Sequence, residues 1–133
     1  MTAEQQLAHA AEIIAAIMFL IMGASHMLQP KAWVDFFVLL RNLGTPGVFA
    51  NSFLSLFFGL IIVAFHNIWT WPAVILTAIG WAQVLKALIG FVGPSLAMRG
   101  LAMVGPENEW RFVAAGVPSF ALGLWFAFDA VGR

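Results

Sequence analysis

Two polar side chains interrupt the apolar stretch at residues 71–94, WPAVILTAIGWAQVLKALIGFVGP: Gln83 and Lys86. They lie three apart, so on a helix they share a face. An ammonium near the middle of a bilayer costs at least ~2.5 kcal/mol on insertion scales, so Lys86 is expected to face protein or water rather than lipid. A lysine placed in this way binds an anion or a carbonyl-bearing ligand, or moves a proton. Depth along the helices sorts the polar groups into two layers. One holds His26, Asn51, Ser55, Gln83 and Lys86, and predicts a ligand or ion pocket open to the cytoplasm. The other, a second polar cluster, holds His9, Glu12, His66 and Asp129, all within about two turns of a helix end. Two plainer alternatives stand beside these. Lys86 snorkels to the nearer membrane face, and the second layer is ordinary membrane-edge chemistry.

Other chemistry finds little footing. The chain has no Cys, which removes disulfides, thiol nucleophiles, iron–sulfur clusters and Cys-ligated zinc. Zinc needs three or four ligands, and Glu12, His9 and His66 could converge, but they are scattered residues without a motif; no metal site is assigned. Paired histidines hold haem in some membrane bundles, and His9 with His66 is the best pair here. Haem or quinone is the cofactor alternative. No HExxH, GxSxG, Walker or dinucleotide motif is present, so no catalytic residue is assigned and the protein is read as a non-enzyme.

The elements that must position these residues follow from composition. Of 133 residues, 62% are hydrophobic and 9% charged, and the mean hydropathy is +0.95. Soluble chains average about 25% charged residues, so this chain cannot surface a soluble fold. Zero net charge and six Lys plus Arg give no basic face for nucleic acid. The expected fold is an all-α integral membrane protein, a single domain over 1–133, with four transmembrane helices at about 7–28, 48–65, 72–92 and 112–131. Residues 31–43 are too short to span and predict an interfacial or re-entrant helix. His66 to Thr70 is a tight link, so the second and third spans form an antiparallel hairpin. Residues 95–111 read as a loop of mixed charge.

Lys31, Arg41, Arg99 and Arg111 fall on one side, and Arg133 on the other. The positive-inside rule then makes the first side cytoplasmic and places both termini outside. Small or polar stripes mark the helix contacts: Glu12, Ala16, Gly23 and His26; Asn51, Ser55, Gly59 and His66; Gln83, Lys86 and Gly90; Gly116, Ser119, Gly123 and Ala127.

Two groups of residues carry a family resemblance. Gly23-Ala24-Ser25-His26-x3-Pro30-x2-Trp33 with the glycine-bearing second span is similar to the DoxX-like group of small four-span bacterial proteins. FHNIW at 65–69, followed by LTAIGWAQVLKALIGFVGP at 76–94, resembles an uncharacterised family of small bacterial membrane proteins with a Phe-His-Asn-x-Trp and Gly-Trp-x4-Lys pattern. The resemblance covers most of 15–94. It implies a four-helix bundle in a bacterial inner membrane and, for some members, association with quinone-linked redox complexes. The matching positions are His26, His66, Asn67, Trp69, Trp81 and Lys86, with no roles attached. The expected function is a membrane subunit of a larger complex, or a homo-oligomer, with its pocket around Lys86. The expected partners are the lipid bilayer and either another copy or another membrane protein. The alternatives are a small oligomeric transporter or channel, and a quinone- or haem-binding redox subunit.

Overall fold

The computed structural model describes residues 1–132; Arg133, counted above among the cations, lies outside the described residues. Six α-helices and one 3-10 turn follow in order: α1 (Ala3–Leu28), α2 (Pro30–Asn42), α3 (Thr45–Phe65), α4 (Val74–Val92), α5 (Pro94–Ala102), the turn Pro106–Asn108, and α6 (Glu109–Val131). Among the described residues there are no strands. Four helices are long and apolar enough to cross a membrane: α1, α3, α4 and α6 with the turn before it. Their outer faces suit lipid. Phe53 and Phe57 on α3 are 62% and 72% exposed, which only an apolar surrounding tolerates along a whole helix face.

Local sequence sets the boundaries. Thr2 and Gln5 form a capping box at the start of α1: the Gln5 amide donates to Thr2 Oγ1 at 3.2 Å, and the Thr2 amide donates to Gln5 Oε1 at 2.8 Å. Pro30 and Pro94 each stop one helix and open the next, because the first helical turn needs no amide donor. Gly44, at φ 69°, makes the turn from α2 into α3 in a conformation that favours glycine.

The helices pair antiparallel, α1 with α6 and α3 with α4. The predicted hairpin of the second and third spans is therefore present. Glycine allows both close approaches. A Cβ on Gly23 would sit 2.5 Å from the Phe120 amide nitrogen, and one on Gly116 would sit 2.7 Å from the Gly23 oxygen. Across the other pair, a Cβ on Gly59 would lie 2.8 Å from the Gly80 oxygen. Backbones this close gain dispersion contacts that larger side chains would prevent. Ala15, Ala16, Ile62, Leu76 and Phe126 join the two pairs into one core.

The short helices close one end of the bundle. Leu40 of α2, Val48 of α3 and Leu101 of α5 form a second apolar cluster with Phe36, Phe37 and Met98. Here the structure corrects the sequence reading: residues 95–102, expected within a loop, are helical. Pro94 starts that helix. Its Ala97, Met98 and Leu101 then share a face, and packing that face on α2 and α3 stabilises a segment whose composition looks irregular. Arg41 ties the end together by donating to the Val104 carbonyl at 2.8 Å.

Candidate functional site

The two polar layers have different fates in three dimensions. At the end of the bundle that holds residue 3 and residue 131, the layer becomes a buried, hydrogen-bonded chain. α3 ends at Phe65, and His66 caps it, giving its amide to the Ile62 oxygen at 2.7 Å. This turns the imidazole inward, to 1% exposure. One ring nitrogen, Nε2, meets Glu12 Oε1 of α1 at 2.9 Å. The other, Nδ1, meets Thr77 Oγ1 of α4 at 3.3 Å. Glu12 is 4% exposed and Thr77 fully buried. Three helices thus contribute one group each.

Thr77 also holds the link between α3 and α4. Its oxygen accepts from the Ile68 amide at 3.0 Å, and it lies 2.7 Å from the Ile68 oxygen and 2.9 Å from the His66 oxygen. A hydroxyl has one proton, so it donates to only one of these carbonyls at a time. The remaining members of the predicted cluster are neighbours. His9 Nδ1 stands 3.9 Å from the second Glu12 oxygen, too far for a hydrogen bond. Asp129 of α6 lines, with Glu12, His66, Leu76 and Trp125, a cavity of about 20 Å³, room for one water molecule.

The opposite layer separates. Lys86 and Asn51 line a concavity of about 480 Å³ whose other walls include Phe37, Leu85, Ile89 and Leu101. Gln83 and Ser55 are not on its walls. Gln83 instead packs its Cβ toward Gly59 between α3 and α4, and Ser55 is buried on α3. Its neighbour Ser52 does reach the concavity, while its hydroxyl donates to the Val48 oxygen at 2.8 Å. His26 does not join Lys86 either, which corrects the grouping drawn from depth. It stacks on Trp33 at 4.2 Å between ring centroids and lies 5.7 Å from Phe112. Its Nδ1 is 2.6 Å from the Met22 oxygen and must carry the proton there, because a carbonyl only accepts.

Lys86 has no ion-pair partner among the described residues, and no carboxylate lines its concavity. It lies six residues before the end of α4, about 9 Å along the axis, so its head reaches toward the end closed by α2 and α5. The haem alternative does not fit the donor set. Both nitrogens of His66 already face partners, Glu12 and Thr77, which leaves neither directed at an iron. Among the described residues no group of three or more His, Asp or Glu could hold a metal ion.

Sequence reasoning missed Thr77. A usable signal is present: Thr77, Gly80, Ala87 and Gly90 are buried on one side of α4, and the stripe read from the sequence holds only Gly90 of these. Two pairs of the patterned residues form clasps. Trp33 donates from its indole to Ser25 Oγ at 2.8 Å beside the His26 stack, and Trp81 donates to Asn67 Oδ1 at 3.2 Å. No family model matches the chain, and neither a curated protein nor a solved structure does.

Proposed function

We propose that this chain is a non-enzymatic membrane protein that holds an amphiphile with an anionic head, as a subunit of a larger complex or as an assembly of its own copies. The single observation that supports this reading is Lys86 at the wall of an otherwise largely apolar concavity of about 480 Å³, with no carboxylate beside it. Ligand sites commonly fall between about 300 and 1,000 Å³ and combine apolar walls with a few polar groups. An acyl or isoprenoid body suits Phe37, Leu85, Ile89 and Leu101. A phosphate or carboxylate head suits the ammonium, with Asn51 as a second polar contact. In this reading α2 and α5 lie at the membrane surface, and Lys31, Arg41, Arg99 and Arg111 face the cytoplasm of a bacterium across its inner membrane.

Native mass spectrometry of protein extracted gently from its own membrane tests it. The expected spectrum shows an anionic amphiphile bound to the wild type and at least tenfold less of it on Lys86→Met. Absence of any adduct, or equal adducts on both proteins, removes the reading. The same spectra give the number of copies and any second protein.

A further inference from the structure

We propose that Glu12, His66 and Thr77 form a proton-binding site, in which the Thr77 hydroxyl reports the protonation of His66 to the link between α3 and α4. The Lys86 concavity plays no part in this. The observation is a continuous chain of polar contacts, Glu12 Oε1 to His66 Nε2 at 2.9 Å, His66 Nδ1 to Thr77 Oγ1 at 3.3 Å, and Thr77 to the link backbone at 2.7–3.0 Å.

Counting protons shows that this chain has two self-consistent arrangements. In the loaded one, a proton bridges Glu12 Oε1 and His66 Nε2, and Nδ1–H donates to Thr77 Oγ1. Thr77 then accepts from Nδ1 and from the Ile68 amide, which fills both lone pairs, and gives its own proton to the Ile68 carbonyl. The net charge of Glu12 and His66 is zero, whether the bridging proton is nearer carboxylate or imidazole. His66 at the C-terminal end of α3 sits where backbone carbonyls favour a cationic ring.

In the unloaded arrangement one proton has gone to bulk water. The proton left on the ring sits on Nε2, because the Glu12 carboxylate accepts only. Nδ1 is then bare, and the Thr77 hydroxyl turns from the link carbonyl to donate to it. The net charge becomes −1. The link gives up one hydrogen bond at the same moment. Proton occupancy and link structure are therefore coupled through a single hydroxyl rotor.

The site also has an exit. The cavity of about 20 Å³ runs between Glu12, His66 and Asp129, and Asp129 stands two residues before the end of α6. A water-sized space between a buried acid–imidazole pair and a carboxylate near a helix end suits proton exchange with that face. The titratable groups facing the pair are His9 from α1 and Asp129 from α6. α4 contributes only Thr77, which does not titrate.

The test is nitrogen NMR of protein carrying ¹⁵N-labelled histidine, in lipid nanodiscs, from about pH 5 to about pH 9, either side of the ordinary imidazole range. Single His9→Gln and His26→Gln variants assign the three rings. The expected wild-type result is a His66 ring that keeps its Nδ1 proton on the acid side and then loses it while keeping Nε2–H. Glu12→Gln is expected to weaken proton binding at His66 at least tenfold, and Thr77→Val to leave binding in place but remove the matching change in the Ile68 amide signal. A His66 ring with one fixed protonation state in the wild type overturns the proposal, and this needs no variant to fold. A titration untouched by Glu12→Gln overturns it as well, since the ring would then act alone.

Discussion

The two ends of the bundle handle polar groups in opposite ways. At one end Glu12, His66 and Thr77 are buried from three helices and face one another at hydrogen-bond distance. At the other, Lys86 opens onto a wide concavity whose lining, among the described residues, holds no carboxylate. The first cluster is completed by groups of the protein itself; the second, at the end closed by α2 and α5, has no such carboxylate beside Lys86. What separates them is whether the bundle supplies the partner.

The sharpest way to break the first cluster is to remove half of its pair. His66→Ala should cost about 3–5 kcal/mol, because Glu12 would be left buried without its imidazole. Reversible unfolding in mixed micelles measures this. The double variant Glu12→Met with His66→Leu should recover most of that loss, since apolar groups of similar volume replace such pairs at little cost. A double variant as unstable as the single one would mean that the pair depends on more of the bundle than its own contact.

Thr77→Val comes next. It strips the Ile68 amide of its acceptor, and a buried unsatisfied donor costs about 1–3 kcal/mol. Thr77→Ser keeps the oxygen and should cost clearly less in the same assay. At the other end, Lys86→Met should change the stability of the delipidated protein by no more than about 0.5 kcal/mol, because no ion pair of Lys86 with the described residues is lost. A large loss there would show that Lys86 has a protein partner and would erase the contrast between the ends.

The smallest effect belongs to the exposed pair Lys31–Asp35, 2.9 Å apart on α2. The hydrogen bond and charge of Asp35 hold the Lys31 ammonium above its ordinary value of 10.5. A raised lysine contributes fully below its unfolded value and loses that contribution as pH rises through the folded value. Its pH dependence is therefore confined to strongly alkaline solution, and solvent screening keeps the contribution at neutral pH small. Asp35→Asn should leave the stability of the protein at neutral pH unchanged within error and flatten the alkaline limb of its pH profile.

Much of this architecture is legible in the chain, and the reason is physical. A span must supply about twenty apolar residues, so residues near 7–28, 48–65, 72–92 and 112–131 announce themselves. Gly23, Gly59, Gly116 and Gly123 mark helix contacts because only small residues let backbones meet. The helix at 94–102 is not legible in this way. Its Pro, Ser, Arg and Gly read as a loop, and its order comes from tertiary packing through Leu101. The sites divide likewise. Depth can be counted along a sequence, and it put Glu12 beside His66. Rotation about each axis and the choice of neighbour cannot be counted so directly. That is why depth groups His26 with Lys86 although it stacks on Trp33, and why depth does not single out Thr77 between Leu76 and Ala78.

The pairing of α1 with α6 has a consequence for how the molecule is made. α3 and α4 are joined by a short link and can dock as soon as both leave the ribosome. α1 must wait for a partner that begins at Glu109, after every other helix has been synthesised. At about 5–20 residues per second that is a delay of several seconds. Throughout it, the glycine-lined face of α1 and the carboxyl of Glu12 are without α6. The face of α1 that packs on α6 thus stays uncovered longer than any other helix contact of the bundle.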